Sequence, residues 1–86
     1  MKLNENFVIH TIDGQVVLVP LNGASFRGLV QGNKSVGVIL ECLSRGADEE
    51  EIVSVMCSRF KGDRETIRED VSDVLTKLKA IGAIDE

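Results

Sequence analysis

The chain opens on short β-branched runs and closes on longer segments in which apolar residues recur every three or four positions. Phe7-Val8-Ile9-His10-Thr11-Ile12 and Gln15-Val16-Val17-Leu18-Val19 are separated by Asp13-Gly14. Asp-Gly between two such runs predicts a two-residue type I′ hairpin turn, in which both central residues need φ > 0. The turn sets the register: Ile12 opposite Gln15, Thr11 opposite Val16, Ile9 opposite Leu18. Phe7, Ile9, Val16 and Leu18 then share one face, assigned to the core. Val8, His10, Ile12, Gln15, Val17 and Val19 share the other, which is less polar than a solvated face. Pro20 has no N–H for a ladder and predicts the end of the second strand. Leu21 to Arg27 reads as a loop with a turn at Asn22-Gly23, and a third strand is expected over Gly28 to Gly32, centred on Leu29 and Val30.

Three helices follow. Asn33 is a good N-cap, and Val36, Ile39, Leu40 and Leu43 form one apolar stripe on a helix reaching Ser44. Arg45-Gly46 ends it. Asp48 with Glu51 three residues on predicts a capping box for the second helix, with Ile52, Val53, Met56 and Phe60 buried. Lys61-Gly62 breaks that helix and Asp63 is expected to cap the third. Ile67, Val71, Val74, Leu78 and Ile81 mark its buried line, with Leu75 beside it. Gly82 is the expected C′ residue, followed by Ala83-Ile84. Segregated strands and helices imply an α+β domain: an N-terminal three-stranded antiparallel sheet with three helices on one face.

Length fits one domain, residues 1–86, with no internal repeat or linker. Tryptophan and tyrosine are absent, so the core is aliphatic apart from Phe7, Phe26 and Phe60. The net charge of −4 argues against a nucleic-acid partner, which needs a basic face. Cys42 and Cys57 form no CxxC pair and His10 is the only histidine, so neither a metal set nor a catalytic residue stands out. Both cysteines are expected as reduced thiols. No signal peptide and no apolar run of membrane-spanning length is visible, which makes cytoplasmic the expected location.

The stretch Gly32-Asn33-Lys34-Ser35-Val36-Gly37-Val38-Ile39-Leu40-Glu41-Cys42-Leu43 resembles the strand-to-helix signature LN-x-TG-x-x-IW-x-LL of the PqqD-like family, with Asn33, Ser35, Ile39 and Leu43 fitting. Glu69-Asp70-Val71, Val74-Leu75, Leu78 and Ile81-Gly82-Ala83-Ile84 are similar to its C-terminal DV-x-x-FL-x-x-L-x-x-x-GL(I/V). The opening Asp48-Glu49-Glu50-Glu51-Ile52 resembles the start of its second helix. Gly32 stands where the family usually has Leu and Leu40 where it often has Trp, so packing at the start of the first helix is expected to lose volume. The resemblance implies a winged-helix-like, non-catalytic domain without cofactor. Such a domain binds the leader segment of a ribosomally made precursor peptide as an added strand and presents it to a modifying enzyme, often a radical S-adenosylmethionine protein. The family's peptide lies on the edge of the third strand, against the third helix.

The residues of such a site are Gly28, Leu29, Val30 and Gln31, an edge without charge or proline. Arg64, Arg68, Val71, Ser72, Leu75 and Lys79 follow one flank of the third helix at spacings of three and four. The same pattern also reads as core at Val71 and Leu75 beside a solvated charged face. A helix-turn-helix DNA reader is a rival, but Arg64, Arg68, Lys77 and Lys79 are balanced by Glu65, Glu69, Asp70 and Asp73. A scaffold using Val8, Ile12, Val17 and Val19 is another rival. An unprotected edge can also pair with its own copy, giving a homodimer.

Overall fold

The structure is a computed structural model describing residues 1–24, 28 and 30–85. The elements run β1 (Lys2–Leu3), β2 (Phe7–Ile12), β3 (Gln15–Pro20), β4 (Val30–Gly32), α1 (Lys34–Arg45), α2 (Glu49–Arg59), α3 (Arg64–Ala80) and β5 (Ile84–Asp85). The expected three-stranded antiparallel sheet is β2-β3-β4, followed by the three expected helices. A second small sheet, which periodicity did not predict, pairs Lys2 with Asp85 and Leu3 with Ile84, joining the two ends.

The hairpin has the predicted register, with Ile12 opposite Gln15 and Ile9 opposite Leu18. Asp13 and Gly14 have φ of 51° and 78°, the positive pair a type I′ turn requires. Pro20 belongs to β3, opposite Phe7, rather than lying beyond it. The hydrogen-bond phase explains why. The residues flanking a two-residue turn exchange both their bonds, and hydrogen-bonded and non-hydrogen-bonded pairs then alternate. Position 20 therefore falls in a non-hydrogen-bonded pair, where a missing N–H costs the hairpin nothing. The same phase is seen one step on, where the Leu21 amide donates to the Asn6 carbonyl at 2.6 Å.

Phe7 and Leu18 are buried, with Ile9, Val16 and Val30 packed against the same core. The helices supply the rest: Ile39, Leu40 and Leu43 from α1, Ile52, Val53 and Met56 from α2, and Ile67, Val71, Leu75 and Leu78 from α3. On the far face of the sheet Val17 is also buried, although it was assigned outward. It lies on the central strand, where His10 and Gln31 flank it from both neighbours. Ile12, at the end of an outer strand, stays 58% exposed.

Local chemistry fixes the helix ends. The Asn33 side chain accepts from the Val36 amide at 3.2 Å. Asp48 and Glu51 form the predicted capping box, with Asp48 Oδ1 accepting from the Glu51 amide at 2.8 Å. Asp63 occupies the N-cap position of α3, but its side chain makes no capping bond. At the other end the Gly82 amide donates to the Lys79 carbonyl and the Ala83 amide to the Leu78 carbonyl, a Schellman closure that delivers the chain to β5. Leu40 is buried, and a Cβ on Gly32 would lie 2.5 Å from the Val36 Cβ. At Gly32 the space is thus filled by Val36 rather than lost, which corrects the volume deficit expected there. Both cysteines are free thiols, Cys42 buried and Cys57 half-buried.

Candidate functional site

β4 is one margin of the sheet, and the phase set at the hairpin turn carries into it. Val16 and Leu18 turn their main-chain groups away from β2, toward Gly32 and Val30. Gln31 therefore directs its N–H and C=O outward, off the sheet. The strand is shorter than expected. Gly28 is exposed in a bend, consistent with glycine's weak fit to strand interiors. Leu29 lies outside the described residues.

Two depressions flank the junction of β4 with α1. One, of about 350 Å³, is lined by Gly14, Gln15, Gln31, Gly32, Asn33 and Lys34. The other, of about 220 Å³, lies among the helices and is lined by Ser35, Ile39, Met56, Phe60, Lys61, Ile67, Asp70 and Val74. Its wall is largely apolar, with Lys61 and Asp70 both exposed. Gln31 thus offers main-chain groups at the sheet margin, while Ser35 and Ile39 carry α1 from the end of β4 to the apolar recess.

The α3 residues expected to line the groove divide between core and surface. Val71 and Leu75 are 0% and 2% exposed, so they are core and offer no surface to a ligand. Arg68 hydrogen-bonds Glu50 of α2 through both terminal guanidinium nitrogens, Nη1 and Nη2, the latter contact measuring 3.0 Å, and Arg64 lies 3.6 Å from the same carboxylate. Arg68 holds the Glu50 carboxyl below its ordinary range mainly through these hydrogen bonds, and the Arg68 pKa is raised in turn. Ser72 is exposed and its carbonyl accepts from Thr76 Oγ1 at 2.9 Å. Lys79 is exposed near the helix end. By helical spacing Ser72 and Lys79 lie on the same side as Arg68, whereas Ile67, Asp70 and Val74 lie on the opposite flank, at the recess.

The sequence reading puts Phe60 and Val74 in the core, whereas both line this recess and are only half-buried. The half-burial of Val74 and Phe60 is the signal that separates them from true core, and periodicity does not report it. Among the described residues no group of three or more His, Cys, Asp or Glu side chains is arranged to hold a metal ion, and no helix is long and apolar enough to cross a membrane.

Comparison with known proteins gives no match among curated sequences. It does give solved structures. One, described as TbiB1 in complex with the TbiA(beta) leader peptide, is 28% identical with a TM-score of 0.84, over 99% of this chain and 95% of that one. A second, described as lasso peptide synthetase B1 complexed with the leader peptide, is 20% identical with a TM-score of 0.77, over 95% and 93% respectively. The latter likeness is one of fold. The family model described as coenzyme PQQ synthesis protein D (PqqD) matches residues 15–84, from β3 into β5, and on that match the chain belongs to the PqqD family.

Proposed function

We propose that this protein captures the leader segment of a ribosomally synthesised precursor peptide by strand addition to β4 and presents it to a separate modifying enzyme. It does no chemistry of its own. The observation carrying this reading is the outer side of β4: Gln31 points both main-chain groups outward on an uncharged strand that leads into α1, and Ser35 at the start of α1 lines the recess with Ile67, Asp70 and Val74. Main-chain bonds along the edge supply affinity, and the recess supplies selectivity for one leader side chain. Family membership and the 28%-identical neighbour solved with a leader peptide support the same reading. The site comprises Gly28, Leu29, Val30 and Gln31 with the recess flank of α3. The enzyme receiving the peptide is a separate polypeptide. Both a radical S-adenosylmethionine enzyme, which the family resemblance implies, and a lasso peptide enzyme, which the neighbours suggest, are candidates for a pull-down with the loaded domain.

Gln31→Pro is the decisive variant. Its N–H faces away from β3, so proline removes an outward donor without breaking the β3–β4 ladder. In a titration of leader peptides into isotope-labelled protein, amide shifts are expected at residues 28–32 and along the Ile67–Val74 flank, and Gln31→Pro is expected to abolish them. Unchanged capture by a folded Gln31→Pro variant would sink strand addition at β4.

A further inference from the structure

The sheet has a second margin. β2 lies at the far side from β4, and among the described residues nothing pairs with its outer side. Phe7–Ile12 contains no charged residue and no proline, and its pairing with β3 is continuous, without a bulge. Natural edges are normally blunted by one of these devices. The hairpin phase turns the main-chain groups of Val8, His10 and Ile12 toward β3 and those of Phe7, Ile9 and Thr11 outward. The Phe7 amide is already taken by the Asn4 carbonyl at 3.1 Å. Ile9 and Thr11 are therefore the outward residues with both N–H and C=O to offer.

We propose that this edge is a self-association surface, on which β2 of a second copy of the chain adds antiparallel about a two-fold axis passing at His10. The register follows from the free groups. With His10 on the axis, Ile9 of each copy lies opposite Thr11 of the other, and each such pair exchanges both of its N–H···O=C bonds. Sliding by one step in one sense sets Thr11 against Phe7, whose amide is occupied. Sliding the other way sets Ile9 against Asp13, which has a positive φ inside the turn. The productive register also sets Val8 of each copy against Ile12 of the other on the outer face. There Ile12 is one of two large apolar side chains left exposed among the described residues. Gln15 and Gln31 put no charge on that face, so His10 opposite His10 is the single titratable pair across the axis. The product is one six-stranded sheet, β4-β3-β2-β2-β3-β4, with both β4 edges at its ends and open.

Sedimentation over a micromolar-to-millimolar range tests this. Native protein is expected to show a reversible monomer–dimer equilibrium. Thr11→Pro removes an outward amide that has no partner among the described residues, so the fold is kept while the dimer weakens about tenfold or more, since one bond per copy is lost. His10→Cys in a Cys57→Ser background is expected to give a disulfide-linked dimer on mild oxidation. Directly opposed residues of a non-hydrogen-bonded pair stand about 4.5 Å apart at Cα, within disulfide range. A strictly monomeric native protein at millimolar concentration overturns the proposal. So does a dimer that a folded Thr11→Pro variant leaves intact, or a His10→Cys protein that forms no cross-link.

Discussion

On one flank of α3, Arg64 and Arg68 reach across to Glu50 on the first turn of α2. On the other, Ile67, Asp70 and Val74 face a recess whose far wall is Phe60, Met56 and Ile39. Both flanks show side chains at spacings of three and four, and both border the same buried line through Val71, Leu75 and Leu78. They differ in company. The charged flank has its counter-charge inside the chain, so its guanidinium donors are engaged before any ligand arrives. The apolar flank is only half-covered by its own neighbours. A pattern along a helix tells which residues share a side, whereas what stands opposite decides whether that side is open for binding.

The largest effect separates both flanks from the line between them. Leu75→Ala is expected to destabilise the fold by about 2–5 kcal/mol in chemical denaturation, the range for emptying a buried leucine site. That is a large share of the roughly 4–13 kcal/mol available to a chain of this length. Leader affinity of the fraction that stays folded should be unchanged. If Leu75→Ala left stability intact and removed peptide binding, Leu75 would belong to the site rather than to the core between the two flanks.

A smaller effect tests the recess. Val74→Asn replaces a half-buried apolar contact with a polar one and avoids a second carboxylate one turn from Asp70. Stability should fall by about 1 kcal/mol. Leader affinity should fall about tenfold, equivalent to roughly 1.4 kcal/mol of binding. Isothermal titration against the same peptide with Arg68→Glu completes the comparison, since that variant should bind like the native protein. The reverse pattern would move the site back to the charged flank.

The parts of this fold legible in the sequence are those fixed by local chemistry. Asp13-Gly14 has one good conformation between β-branched runs, and it determines the register through β4. Asp48 and Glu51 satisfy each other's backbone donors whatever packs nearby. Gly82 closes α3 for the same kind of reason. The illegible parts depend on distant neighbours. The β1–β5 pairing joins residues from opposite ends of the chain, and two-residue strands carry no periodic signal. Asp63 looks like a cap, yet its side chain makes no capping bond. Periodicity puts Val74 and Ile81 on the buried line of α3 with Leu75 beside it. The structure turns the helix so that Leu75 is enclosed while Val74 and Ile81 are half-exposed. Val74, not Leu75, is therefore the α3 residue with apolar surface to offer.

The smallest effect concerns the charged flank itself. Hydrogen bonds from Arg68 hold the Glu50 carboxyl below its ordinary pKa, so the folded state binds the ionised form preferentially. A depressed carboxylate contributes stability that is present above its unfolded-state pKa and is lost as pH falls through the folded-state value. Native protein should therefore exceed Arg68→Ala slightly in stability near neutral pH, and the gap should close on acidification through and below the normal carboxylate range. Glu50 and Arg68 are both largely solvated, so added salt should narrow the gap as well. Urea titrations of the two proteins at neutral and acid pH, each at low and high salt, measure this directly. A gap that grows as pH falls would show that Arg68 acts through something other than Glu50. A leader peptide that abolishes the gap at neutral pH would show that it competes for the guanidinium, placing peptide on the flank that the recess model leaves bare.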